Sequence, residues 1–418
     1  MPAIASVKGR EIFNSAGYPA LEVTVKLASG VEAVSSVPHS HSKGNFEAKD
    51  VSDKDISRYE GKGMLKAVTS LIGISEKLKG IEVFEQQKID SILNSMDGTE
   101  NKSVLGANVM LAVSQAVAKA AAVSSSIPLF LYLRQFTSIR ETSLKLPLPM
   151  FVLIEGGKWV KGGIDFQSIL LLPASSQDVY TGIQMGIDLI HLLEKYLQER
   201  NNVTLNAPLG GFSVPSQSNT DAINFAKQFI ESTSYKFSED LFLGVNVNAN
   251  ALMNGQAYRI SDRANPVSSA ELIDFYKNLA EEYSLIFLED PLSDNDSAAW
   301  AQLASTLSDE IMISGNDLIG GNPLRLQTAI QGNLTNSVSF TPGQIGTVSE
   351  SLAFAEIARY KKFKMTVFDR GYTTNDDFIV DFAVAVGADY LKAGAPLRER
   401  VFKYNRLLEI EKEIETLK

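Results

Sequence analysis

The sequence predicts an α/β protein in which an α+β domain, residues 1–135, precedes an eight-stranded α/β barrel, residues 136–418. Three observations support this fold class. The first third of the chain changes from strand-like alternation to helical periodicity, and short apolar runs separated by helical segments recur after Leu146. Hydrophobic residues make up 44% of the 418 positions and charged residues 21%, so the chain can bury large cores.

The predicted α+β domain begins with a hairpin. Apolar and polar residues alternate in ALEVTVKLASGVEAVSSV, where Ser29 and Gly30 separate two β-rich runs. Helical periodicity then follows in GMLKAVTSLIGISEKL, in FEQQKIDSILNSM, and in VLGANVMLAVSQAVAKAAAV, which ends near Ser126. A small sheet followed by helices is the α+β pattern.

The barrel is predicted from short apolar runs of strand length with helical segments between most of them. An open, doubly wound sheet is the alternative, but its glycine-rich dinucleotide-binding turn is missing. An amphipathic, highly charged helix is expected over residues 398–417. The runs are LPMFVLI, FQSILLLP, LFLGVNV, SLIFLED, EIMISG, SVSFTP, FKMTVFD and DYLKAG, and the helical segments include TGIQMGIDLIHLLEKYLQE, SAELIDFYKNLAEEY and VSESLAFAEIARY.

Composition excludes several functional classes. The 39 Lys and Arg residues against 49 Asp and Glu residues give a formal charge of -10, which argues against binding to nucleic acid or an anionic membrane surface. The chain contains no Cys, so disulfides, thiolate metal sites and a cysteine nucleophile are excluded. The N-terminus does not resemble a secretory signal, and no window approaches the roughly 18 apolar residues of a membrane span. We therefore expect a cytoplasmic protein.

Candidate functional residues lie where the predicted strands end, because that end of an α/β barrel carries the chemistry. A hard cation such as Mg²⁺ requires charged oxygen ligands; Glu289 could contribute, whereas Asn246 and Asn316 offer only neutral amide oxygens. Asp290 and Asp317 directly follow other strand-end residues and are expected to point away. The candidates are Lys158, Trp159, Ser168, Asn246, Asn248, Glu289, Asp290, Asn316, Asp317, Thr341, Asp369, Arg370 and Lys392.

Four segments carry a resemblance to a known family. They are MDGTENKSVLGANVMLAVSQAVAKAAA, FLEDPL, GQIGTVSES and KAGAPLRERVFKYNRLLEIE. The chain resembles the enolases, the phosphopyruvate hydratases that interconvert 2-phosphoglycerate and phosphoenolpyruvate, nearly from end to end. The resemblance implies an enolase-like N-terminal α+β domain followed by an eight-stranded TIM-type barrel. It also implies Mg²⁺ dependence and a homodimer.

The same resemblance implies that much of the catalytic machinery is altered. The enolase metal ligands, Asp, Glu and Asp, correspond to Asn246, Glu289 and Asn316, so only Glu289 keeps its charge. The lysine that abstracts the proton corresponds to Thr341, and the acidic residue of the GDEGG loop that assists loss of the hydroxyl corresponds to Leu209. Lys392 is retained.

Four positions are predicted to contact a substrate or another ligand. The resemblance assigns this role to Ser42, Gln167, Arg370 and Lys392. Arg370 is suited to a bidentate contact with an oxyanion. Lys392 could bind a carboxylate or phosphate, or could be paired with Glu289 or Asp369.

These replacements predict a divergent enolase homologue with little or no dehydration of 2-phosphoglycerate. Loss of a positioned general base typically costs about 10²–10⁴ in rate, and neutral metal ligands weaken the Lewis acid in the same transition state. The expected role is binding of a small anion, phosphate or carboxylate, without metal, or a structural or regulatory one. The alternative is an active lyase of the family that uses Lys392 as base, with Glu289 and Asp369 on a relocated cation.

Overall fold

The computed structural model describes residues 2–40, 43–139, 144–160, 163–200 and 207–417. The strands are β1 Ile4–Phe13, β2 Pro19–Leu27, β3 Glu32–Pro38, β4 Leu148–Glu155, β5 Ser168–Pro173, β6 Leu241–Asn246, β7 Met253–Asn254, β8 Ala257–Tyr258, β9 Leu285–Glu289, β10 Met312–Ser314, β11 Ser337–Phe340, β12 Lys364–Phe368 and β13 Tyr390–Lys392. The helices are α1 Leu65–Leu78, α2 Gln86–Asp97, α3 Ala107–Ser125, α4 Leu129–Arg134, α5 Val179–Glu199, α6 Asn219–Glu231, α7 Ser269–Tyr283, α8 Ser297–Leu307, α9 Pro323–Gln331, α10 Val348–Tyr360, α11 Phe378–Ala385 and α12 Val401–Leu417.

The N-terminal part is a three-stranded antiparallel sheet in the order β1-β2-β3, with helices packed on one face. The predicted hairpin is confirmed as β2 and β3. Strand β1 was not predicted, because IASVKGREIF does not alternate regularly between apolar and polar residues. At Gly9 a Cβ atom would lie 2.4 Å from the Leu71 side chain of α1, so glycine allows the helix to approach the sheet.

Helix α3 is the central helix of the N-terminal part. It is buried on almost every side and packs against β2, β3, α2 and α4. By length and composition alone, with a mean hydropathy of 1.3, α3 could cross a membrane. The expectation that no segment is apolar enough for a membrane span is therefore wrong. However, 83% of the apolar window is buried inside the protein, which is the packing of a core helix.

The second part of the chain is a closed eight-stranded barrel in the order β4-β5-β6-β9-β10-β11-β12-β13, as predicted. Strand β5 runs antiparallel to both β4 and β6, whereas the other neighbouring pairs are parallel. The start of β5 therefore lies at the rim where the other strands end. The register places Glu155, Ser168, Asn246 and Glu289 side by side along this rim.

The N-terminal part closes over this rim of the barrel. Asp90 on α2 accepts a hydrogen bond from the backbone N–H of Ser349 at 2.9 Å. Lys119 on α3 forms an ion pair with Asp376 at 2.9 Å. In the segment that follows β3, the ring of Phe46 lies 3.3 Å from the Arg325 guanidinium. These contacts join the N-terminal part to the barrel, and that of Phe46 anchors the segment after β3.

Candidate functional site

A cavity of about 330 Å³ opens at the mouth of the barrel, beneath the segment that follows β3. Its walls come from strand ends of the barrel and from residues 43–47 of the N-terminal part. The structure brings together thirteen of the residues predicted from the sequence, namely Lys158, Gln167, Ser168, Leu209, Asn246, Asn248, Glu289, Asp290, Asn316, Asp317, Asp369, Arg370 and Lys392.

Lys392 and Glu289 form an ion pair at the floor of this cavity. The Lys392 Nζ atom donates to Glu289 Oε2, and both side chains are buried. The second carboxylate oxygen, Glu289 Oε1, is buried and has no hydrogen-bond partner among the described residues. The two retained charged groups therefore neutralise each other, so of the two pairings expected for Lys392 the structure has the one with Glu289.

Asn246 stands beside this pair. It is the cross-strand neighbour of Glu289, and its side-chain amide is buried. The amide oxygen, Asn246 Oδ1, also has no partner within the described part of the chain. Two unpaired acceptor oxygens thus occur on adjacent strands at the cavity floor.

Asn316 is bound into a network that occupies its amide oxygen. Asn316 Oδ1 accepts a hydrogen bond from Gln344 Nε2 at 2.8 Å. Its Nδ2 atom donates to Asp290 Oδ2 at 3.1 Å and more weakly to Asp317 Oδ1 at 3.3 Å. Asn316 Oδ1, which stands at the position of a metal-ligand oxygen in enolases, is therefore already hydrogen-bonded within the protein.

Asp290 and Asp317 line the cavity, so the expectation that both point away is wrong. The reason is local: Asp290 has φ 47°, which turns the chain sharply after β9. Asp290 Oδ1 accepts from the backbone N–H groups of Asn316 and Asp317, both at 2.8 Å. Burial, followed by repulsion from Asp317, raises the pKa of Asp290, and burial is also the main cause of the raised pKa of Asp317.

Other cations around the mouth also have carboxylate partners. Arg370 forms an ion pair with Glu47, and Lys43 pairs with Asp50 at 2.8 Å. Lys403 pairs with Asp369, and although burial opposes it, this contact lowers the pKa of Asp369. Asp369 is thus held by Lys403, which argues against a cation shared between Asp369 and Glu289.

Glu155 is a cavity residue that the sequence reasoning missed. Its Oε2 atom accepts backbone N–H groups of Leu209 at 3.0 Å and Gly211 at 3.2 Å, and it thereby fixes the loop that carries Leu209. Burial raises its pKa to about 7, against the opposing effect of these N–H groups and of Arg400. The signal was available, since Glu155 directly follows the apolar run LPMFVLI, and a charge there lies at the barrel mouth.

Comparison with known proteins agrees with this architecture. The family model described as "Enolase, N-terminal domain" matches residues 4–133, and "Enolase, C-terminal TIM barrel domain" matches residues 143–417. The chain belongs to the enolase family. Proteins named Enolase from Ehrlichia ruminantium, strains Gardel and Welgevonden, are each 36% identical over 415 residues, covering 99% of this chain and 97% of theirs. The Enolase of Sulfurimonas denitrificans is 37% identical over 413 residues, covering 98% of this chain and 97% of its own.

The residues at the enolase metal positions do not fit a divalent cation. Of the three, Asn246 and Asn316 are neutral, and the Asn316 oxygen is taken by Gln344. The charge of Glu289 is neutralised by Lys392. Within the described ranges, no group of three or more His, Asp or Glu side chains could hold a metal ion. A Mg²⁺ ion placed here would meet one shared carboxylate and a neighbouring ammonium group.

Thr341, at the position of the enolase proton-abstracting lysine, does not line the main cavity. It lies in a smaller adjoining cavity of about 80 Å³ with Asp50, Asp369 and Lys403. Its backbone N–H donates to Gln344 Oε1 at 2.9 Å, and the residue is buried. Ser42 lies outside the described residues, as does the side chain of Trp159.

Proposed function

We propose that this enolase-family protein does not dehydrate 2-phosphoglycerate and acts by binding a ligand in the barrel cavity. The observation that carries the proposal is the buried ion pair between Lys392 and Glu289. These are the two charged enolase positions retained at the cavity floor, and each uses its charge on the other. Neither is then available as a base or as an unshared metal ligand.

The missing groups all act in the same reaction. Removal of the proton next to a carboxylate creates additional negative charge that must be stabilised where it develops. Thr341 carries a hydroxyl instead of an amine, and loss of a positioned base costs about 10²–10⁴ in rate. Leu209 cannot assist departure of a hydroxyl, because its side chain has no proton to transfer. The combined defects oppose turnover at several points of one reaction.

The small-anion ligand predicted from the sequence belongs to this proposal, but the ion pairs already present in the cavity oppose its binding. An anion would compete with Glu289 for Lys392 and with Glu47 for Arg370. Calorimetric titration with phosphate, with and without MgCl₂, tests it. The expected homodimer and cytoplasmic location are part of the same proposal, and light scattering coupled to size-exclusion chromatography tests the dimer.

An active lyase is the second candidate. It is favoured by the position of Lys392, whose amine lies in a cavity beside a carboxylate, and by relatives named Enolase at 36–37% identity. In this alternative Lys392 would act as the base after Glu289 released it. Such an enzyme would lose its activity on Lys392→Ala.

A spectrophotometric assay of phosphoenolpyruvate formation separates the two candidates. The parent protein, Lys392→Ala, and a fourfold variant with Asn246→Asp, Asn316→Asp, Thr341→Lys and Leu209→Glu are compared with MgCl₂ present. We expect no rate above background for the parent or for Lys392→Ala. A parent rate that disappears in Lys392→Ala would establish the lyase and refute the proposal.

A further inference from the structure

The chemical class of ligand can be inferred from two unpaired oxygens at the cavity floor. Asn246 Oδ1 and Glu289 Oε1 are buried on adjacent strands, and neither has a hydrogen-bond partner in the described ranges. Asn246 is 6% exposed and Glu289 is 0% exposed. Buried polar atoms in native proteins are usually satisfied, so an unpaired pair facing one cavity indicates a ligand or water that donates hydrogen bonds.

The charges around these oxygens disfavour an ionic ligand of either sign. A cation that approached Glu289 Oε1 would meet the Lys392 ammonium group, which already contacts the other oxygen of the same carboxylate. An anion would meet the two unpaired oxygens, and Arg370 is engaged with Glu47. A neutral donor avoids both repulsions.

The wall of the cavity is suited to hydroxyl groups. A carboxamide carries both a donor and an acceptor, which matches the dual character of an alcohol. Those of Asn250 and Asn316 are already hydrogen-bonded within the protein. The ring of Phe368 adds an apolar face. The volume of about 330 Å³ lies at the lower end of small-molecule sites. The carboxamide residues of the wall are Asn45, Gln167, Asn246, Asn248, Asn250 and Asn316.

We propose that the cavity binds a neutral, polyhydroxylated small molecule whose hydroxyl groups donate to Asn246 Oδ1 and Glu289 Oε1. This inference deepens the proposed function, because it names the ligand class of the same cavity. Asn246 and Glu289 are two of the three positions that correspond to enolase metal ligands. The proposal assigns them a different task, acceptance of hydrogen bonds from hydroxyl groups. No bond is made or broken.

The test is saturation-transfer NMR followed by titration, with glycerol, erythritol and D-glucose as probes. Ethanolamine and 2-phosphoglycerate serve as the charged counterparts. Asn246→Leu removes one acceptor at similar size. The matched control is Asn278→Ala, which removes an exposed carboxamide on α7, away from the cavity.

We expect at least one polyol to bind, and to bind about tenfold more weakly to Asn246→Leu, as loss of one buried hydrogen bond predicts. The Asn278→Ala control should retain the parent affinity, and both charged probes should bind more weakly than the polyol. Absence of polyol binding, tighter binding of a charged probe, or equal affinity in Asn246→Leu would overturn the inference. None of these readouts requires turnover, so a positive phosphoenolpyruvate assay would refute the proposed function separately.

Discussion

Lys392 at the end of β13 and Glu289 at the end of β9 form an ion pair between strands on opposite sides of the barrel. The pair spans the floor of the cavity and links segments 103 residues apart in the sequence. Because both groups are buried, the interaction is strong only while both partners are present.

Removal of one partner should therefore be much more damaging than removal of both. Lys392→Met leaves the Glu289 carboxylate buried without a counter-charge, and we expect a loss of about 3–5 kcal/mol in the free energy of unfolding. The double variant with Lys392→Met and Glu289→Leu should recover most of that loss. Urea unfolding measures both. Equal stability of the single and double variants would contradict a buried, mutually dependent pair.

Glu155 should make the stability of the protein pH-dependent. Its pKa is raised from 4.5 to about 7 by burial, so the folded state holds a proton that the unfolded state has released between these values. The contribution of Glu155 to stability should be most favourable below about pH 4.5 and should fall by about 3 kcal/mol by pH 7.

The matched variant for this prediction is Glu155→Gln, which keeps an acceptor for the Leu209 and Gly211 N–H groups and removes the titration. The difference between parent and variant in urea unfolding, measured across this pH range, isolates Glu155 from the other carboxyl groups. An unchanged pH dependence in Glu155→Gln would show that this carboxyl group does not carry the effect.

Restoring two carboxylates should make the thermal stability of the protein depend on MgCl₂, whereas that of the parent should not. Asn246→Asp and Asn316→Asp together place two further carboxylates beside Glu289 and the buried Asp290–Asp317 pair, where burial already raises both pKa values. Without metal the double variant should be less stable than the parent, because like charges are buried together. Addition of MgCl₂ should raise its Tm by several degrees and leave that of the parent unchanged. A parent Tm that rises equally with MgCl₂ would argue that the present residues already hold the cation.

The sequence predicted the barrel well because each buried strand is a short apolar run with a polar residue at its end. The direction of β5 could not be read from FQSILLLP, since a buried strand is equally apolar in either direction. Strand β1 was not predicted because its apolar residues do not alternate regularly with polar ones. Which of them are buried depends on its pairing with β2.

The residues that line the site could also be predicted, but the hydrogen-bond and ion-pair partners of each could not. Family resemblance assigned Asn246, Glu289 and Lys392 to one site, and all three line the same cavity. The partner of each charge depends on side chains distant in the sequence, such as Gln344 for the Asn316 oxygen. Glu155 was not among the predicted candidates, although like Glu289 it is the last residue of its strand.

The first chemical step offers the most direct test of the central claim. The parent protein is incubated with 2-phosphoglycerate and MgCl₂ in D₂O, and exchange of the carbon-bound proton at C2 is followed by NMR. This readout detects proton abstraction even when no product is released. We predict no exchange above the protein-free rate. Exchange in the parent that Lys392→Ala abolishes would show that the lysine is free to act as a base, contrary to its permanent pairing with Glu289.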